Sequence, residues 1–236
     1  MTRKQGIVLL AGGVWLAAAV AAFGLGANFA PLTYNPAPGE AVTFEVCPTC
    51  LGGGSFRFQW DFDSDGTTDL ETADLLVRHA FDQAGYVEVT LTAIDSSGRS
   101  SFRTKGILVG ESPLVAVRDV FPEDRDAVLV VVTLDVREGF SGLALEEGIP
   151  RGWQAQEVDR GGATVVNATG QSFEVLWAEP IDGGERRVFS YRLYPSYGTG
   201  VPTLGGVASG YLSQVATGET GKRVKVPVCG DLSIPQ

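Results

Sequence analysis

"FRFQWDFDSDGTTDLE", residues Phe56 to Glu71, joins two patterns whose boundary decides how the chain folds. Phe56, Phe58, Trp60 and Phe62 alternate with polar neighbours, the two-residue period of a strand that shows one face to a core. Aromatic rings in register would be costly to leave in water, so a second layer must cover them. Immediately afterwards Asp61, Asp63, Asp65, Asp69 and Glu71 crowd around Gly66. That acidic stretch reads in three ways: a calcium loop, a catalytic carboxylate pair, or a tight turn between strands.

The same period recurs along the chain. Val42, Phe44 and Val46 alternate, as do Val87, Val89, Leu91 and Ala93, and "DSSG" from Asp95 to Gly98 supplies a turn. A second set of strands begins after Pro113. "AVLVVVTLDV", from Ala127 to Val136, is apolar almost throughout and predicts a strand buried on both faces or at a sandwich centre. "ATVVNA", "SFEVLWAE", "ERRVFSYRLYP" and "KRVKVPVC" follow, separated by turns such as Asp182-Gly183-Gly184. Short strands with this punctuation predict an all-β body of two β-sandwiches in series. The linker falls at about Glu111 to Pro113, which divides the chain into residues 1–30, 31–111 and 112–236.

Residues 1–30 place Arg3 and Lys4 ahead of an uncharged stretch that runs from Gly6 to Leu32. Its apolar core, Ile7 to Leu25, is nearer to the ~20 residues of a membrane helix than to the roughly 7–15 of a cleaved signal. We read it as a hydrophobic signal-anchor or transmembrane helix, with cleavage after Gly24 or Ala27 as the alternative. Either way the basic residues stay inside and the body is exported, membrane-anchored in one case and secreted in the other. Gly12, Gly13 and several alanines leave a thin helix surface suited to packing against another membrane helix. The formal net charge of -10 excludes a nucleic-acid partner, because phosphate binding needs a basic footprint. Export permits disulfides, and "CPTC" reads as a Cys47–Cys50 bridge or as two capped thiols in a loop, leaving Cys229 over.

Residues Pro36 to Val109 resemble a PKD (polycystic kidney disease) domain, an immunoglobulin-like module found on prokaryotic cell surfaces. "WDFDSDG" and "RHAFDQAGYVEVTLTAIDSSG" carry the resemblance, through Trp60, Asp61, Phe62, Gly66, His79, Phe81, Gly85, Tyr86, Val89, Leu91, Asp95 and Gly98. Two positions depart from the pattern: the turn Asp63-Ser64-Asp65-Gly66 is longer than usual, and Phe81 stands where Tyr is common. The second half is loosely similar to sandwich repeats appended to such proteins. The resemblance implies an extracellular module that binds protein or carbohydrate, or serves as a spacer, with no activity of its own.

Asp61, Asp63, Asp65, Gly66 and Asp69 match the start of a D-x-D-x-D-G calcium loop. The twelfth position is Thr72 and no helices flank the loop, which excludes an EF-hand. What remains is a partial loop in which Asp61, Asp63, Asp65 and Asp69, with the Thr67 carbonyl, would hold calcium weakly, at roughly 0.1–1 mM. Against it stands a plain turn in which Asp61 caps its own backbone. His79 is the single histidine, so any triad must use it, yet Val77 and Phe81 at alternate positions place it in packing. Trp153, Trp177, Tyr191, Tyr194, Tyr197 and Tyr211 are either core or a sugar-stacking platform, with Tyr197 the residue most suited to exposure. Asn167-Ala168-Thr169 is a glycosylation sequon, meaningful only in a host with that machinery.

The sequence therefore predicts a non-enzymatic, membrane-anchored adhesion or interaction protein that binds a surface protein or glycan. Two alternatives stay open. One is an accessory subunit docked through its helix among other membrane subunits or in a filament. The other is a surface enzyme, which would need a cleft at His79 or the acidic turn.

Overall fold

The computed structural model describes residues 26–123, 127–195, 202–213 and 221–234. Over them the chain is all-β, with a single 3-10 turn at Pro48–Leu51. In the N-terminal half, β1 (Phe29–Pro31), β2 (Ala41–Val46) and β5 (Leu76–Ala80) form an antiparallel sheet in the order β1-β2-β5. Facing it, β3 (Phe56–Asp61), β4 (Leu70–Thr72), β6 (Gly85–Asp95) and β7 (Ser100–Val109) pair in the order β4-β3-β6-β7. Phe58, Trp60 and Phe62 point inward and are buried, while Phe56 packs at their margin, as the aromatic alternation requires.

The apolar segment expected over residues 1–30 lies, as far as residue 25, outside the described residues. Its last residues belong to the sandwich instead. Phe29 is fully buried 5.1 Å from the Trp60 ring and 6.1 Å from that of Phe44, and its strand pairs with β2. An aromatic residue with a core to enter gains more there than at a helix end. Among the described residues, no helix is long and apolar enough to cross a membrane.

The C-terminal half is a second sandwich-like pair of layers. One layer orders β11 (Trp153–Asp159), β14 (Arg186–Pro195), β9 (Val128–Val136) and β8 (Leu114–Pro122). The other orders β15 (Gly206–Leu212), β10 (Phe140–Gly148), β13 (Ser172–Trp177) and β12 (Val165–Ala168). β9 is buried on one face only: Val128, Val130, Val132, Leu134 and Val136 enter the core, and the alternate residues are half-buried. Its apolar run thus reflects a central strand whose outer face is partly shielded by neighbours, since β14 and β8 flank it.

The last strand, β16 (Arg223–Asp231), ties everything together. Its first part pairs with β15, from Tyr211↔Arg223 to Val207↔Pro227. Past Pro227 it changes layer, running parallel to β8 at Val228↔Ala116 and antiparallel to β7 at Gly230↔Gly106 and Asp231↔Lys105. Strands that switch layers form the corners of sandwiches. Here the corner inserts between β7 and β8, the strands on either side of the expected linker. That connection is further clasped by Asn35, whose Nδ2 donates to Leu108 O (2.6 Å) and Gly110 O (2.5 Å), and whose Oδ1 accepts from Arg137.

Candidate functional sites

The acidic turn leaves β3 at Asp61, whose Oδ2 accepts the Gly66 N–H at 2.9 Å. Asp63 accepts the Asp65 N–H at 3.2 Å, and Asp65 accepts both the N–H (2.7 Å) and the hydroxyl of Thr67. Gly66 sits at φ 88°, a left-handed conformation in which a side chain would be strained. One carboxylate oxygen each from Asp61, Asp63 and Asp65 comes within 4.8 Å of the others, close enough to share a cation. Asp69 is directed elsewhere: its Oδ2 accepts the Phe62 N–H at 2.7 Å and anchors the turn to the core strand. The Thr67 hydroxyl holds the Asp65 carboxyl below the usual range. The structure thus gathers three of the expected ligands, and every hydrogen bond among them also serves the turn.

His79 lies in the packing. Its ring stacks on Phe62 at 3.9 Å between centroids and meets Phe81 edge-on at 4.8 Å. Burial lowers its pKa against the opposing pull of Asp69 and Asp82. The folded state therefore binds fewer protons than the unfolded chain as pH falls through the ordinary histidine range, so stability present above about pH 6.5 is lost below it. We expect His79→Phe to flatten the pH dependence of the melting temperature between neutral and mildly acid pH. An unchanged slope would remove His79 as its source.

Cys47 and Cys50 are bridged, with Cα atoms 5.4 Å apart across the 3-10 turn. Cys229 is an unbridged, buried thiol whose pKa burial pushes up to about 12, so it is not a thiolate at neutral pH.

The aromatic set of the second half divides. Trp177 and Tyr191 are fully buried, Tyr194 and Tyr211 are exposed on β14 and β15, and Tyr197 lies outside the described residues. Trp153 is half-buried beside a depression of about 400 Å³ lined also by Pro150, Arg151 and Gln171.

Sequence reasoning missed a buried charge network. Arg118, wholly buried on β8, makes a two-pronged contact with Glu147 on β10: Nε to Oε2 at 2.8 Å and Nη2 to Oε1 at 2.7 Å. Its Nη1 donates to the Asp231 carbonyl at 2.9 Å, and the Tyr191 hydroxyl donates to Glu147 at 2.9 Å. Burial works against the Arg118 charge, but Glu147 outweighs it and holds the guanidinium pKa above its ordinary value. Beside this pair, Asp231 takes Arg103 Nε at 2.9 Å, Lys105 Nζ at 2.6 Å and the Val120 N–H at 2.9 Å. Burial would raise the Asp231 pKa, yet Lys105 and Arg103 lower it. The signal was available: Arg118 shares the inward parity of Leu114, Ala116 and Val120.

These features define an all-β, sandwich-like architecture whose polar side chains are largely spent on structure. Its first half is more specific: residues 28–109 match the family model described as PKD domain. No curated protein matched the sequence. Among solved structures, the chain is similar to a chitinase from Bacillus thuringiensis (TM-score 0.40, 9% identity, 85% of this chain and 28% of that one). It is also similar to the S. aureus collagen adhesin (TM-score 0.32, 8% identity, 89% and 94% covered) and to the Bacillus cereus major pilin subunit BcpA (TM-score 0.36, 13% identity, 75% and 64% covered). The chain spans just over a quarter of the chitinase.

Proposed function

We propose that the protein is a non-enzymatic interaction or adhesion module of the cell surface, built from two β-sandwich domains and held to the membrane by its N-terminal segment. The match to the PKD domain model over residues 28–109 carries this reading. It is supported by the way β16 inserts between β7 and β8, which turns tandem modules into one stiff body. A stiff body presents distant faces in a fixed orientation, which reduces the ordering entropy lost on binding.

The surface that best suits a glycan is the depression at Trp153. Trp153, Arg151 and Gln171 line it together, so an aromatic residue shares the depression with residues that carry hydrogen-bond donors, the pairing a sugar ring requires. The test is binding of residues 26–236 to arrayed glycans and to envelope proteins, with Trp153→Ala alongside. Saturable binding that falls at least about tenfold in the variant, a loss of ~1.4 kcal/mol, supports this face. Undiminished binding places the contact elsewhere, and no binding to either class argues against an adhesive role.

The cluster of Asp61, Asp63 and Asp65 is in this reading a weak calcium seat that would stiffen the turn in an extracellular medium. Calcium at ten times its dissociation constant should stabilise the protein by about 1.4 kcal/mol over chelator, and Asp63→Asn should abolish the shift. Identical melting curves in millimolar calcium and in chelator would leave the cluster a turn and nothing more.

A further inference from the structure

We propose that Lys105 and Asp231 become joined by an intramolecular amide bond, formed by the folded chain itself with Asp119 as proton relay, so that the two halves are covalently locked. The three residues lie on three adjacent strands, β7, β16 and β8. Asp231 on β16 is the registered partner of Lys105 on β7. On its other side, β16 runs parallel to β8 with Gly230 opposite Arg118, which puts Asp119 at the next position along. The Lys105 amine already lies 2.6 Å from Asp231 Oδ1, and the two side chains are only 5% and 3% exposed.

Lys105 and Arg103 lower the Asp231 pKa, so the pair rests as ions. Amide formation proceeds from the neutral form, reached when one proton passes from the amine to the carboxyl across the 2.6 Å contact in a dry setting. The neutral amine is a nucleophile and the neutral acid an electrophile. Arg103 Nε donates to Oδ1 and the Val120 N–H to Oδ2, so both oxygens of the carboxyl group face donors placed to hold developing negative charge. The Phe29 ring, 5.8 Å from Lys105 Nζ, covers the amine. Burial raises the pKa of Asp119 against the pull of Lys105, so its carboxyl carries a proton more readily than an exposed acid does.

The bookkeeping of atoms closes without an oxidant or co-reactant. The Lys105 ammonium gives up one proton within the cluster, and the amine nitrogen attacks Cγ of Asp231. A new C–N bond forms, the second amine proton passes through Asp119 to the departing hydroxyl, and the C–O bond breaks with loss of one water. The charge of the cluster is unchanged, because a cation and an anion disappear together. Arg103 is left facing the amide oxygen. Fixed proximity makes such a step effectively intramolecular at very high local concentration.

The experiment is mass spectrometry of the full chain, reduced and denatured after folding, followed by digestion. The expected result is a mass about 18 Da, one water, below that of the sequence, with a branched peptide joining Lys105 to Asp231. Lys105→Arg, which keeps the cation, and Asp119→Asn should both retain the full mass while folded by circular dichroism. Asp231→Asn should give the same branched product by releasing ammonia. Full mass for folded wild-type protein would overturn the proposal, as would a water loss mapped to another site. Should the variants fail to fold, the wild-type mass and its branched peptide decide alone.

Discussion

Glu147→Ala is expected to destabilise the protein by about 3–5 kcal/mol, because it leaves a buried guanidinium without its counter-charge. Arg118 has no exposed surface, and both prongs of its contact end on Glu147. The Tyr191 hydroxyl, equally buried, loses its acceptor in the same substitution. Neither group can turn to water: Arg118 and Tyr191 have no exposed surface, and Phe173 and Phe189 lie against the Tyr191 ring. Equilibrium urea unfolding gives the value directly. The paired replacement Arg118→Met with Glu147→Leu should recover most of the loss, because removing both charges removes the desolvation along with the attraction. A single substitution within about 1 kcal/mol of wild type would show that the network contributes little to the fold.

Gly230→Ala is the second large effect, at about 2–5 kcal/mol. Gly230 lies near the end of β16, between Gly106 on β7 and Arg118 on β8, with φ 80°. An added Cβ would press into the Arg118 carbonyl, which is backbone and cannot rotate aside. The substitution therefore combines left-handed strain with a collision at the point where the two halves meet. Thermal unfolding followed by near-ultraviolet circular dichroism is the appropriate readout, because tryptophans in both halves report. A variant that melts like wild type would mean that β16 is not seated between β7 and β8 as described.

Local structure was legible in the sequence wherever one residue type repeated at period two. The Phe56-Phe58-Trp60-Phe62 series located both a strand and its inner face, and "DSSG" marked the β6–β7 turn, where Asp95 accepts from Ser97 and Arg99. What escaped depended on partners far away in the chain. β16 looked like one more strand of the second sandwich, and nothing within "KRVKVPVCGD" says that its end pairs with β7, more than a hundred residues earlier. Arg118 and Glu147 were visible as charges among apolar residues, but their pairing across the sandwich requires the register of both layers. Phe29 escaped because it continues an apolar run, and composition alone does not show where such a run turns from one environment to another. In the acidic turn the ligand pattern was legible and the direction of each carboxylate was not: Asp69 fits the spacing of a calcium loop, yet it accepts from Phe62.

The central claim, a surface module that binds outside the cell, is tested most directly by treating intact cells with a membrane-impermeant amine-reactive cross-linker and recovering the protein. The body offers Lys225 and Lys222 among its described lysines. The account predicts labelling in intact cells, with an amine-bearing surface partner attached in stoichiometric amount. Protein that is labelled only after lysis would place the body inside and contradict it.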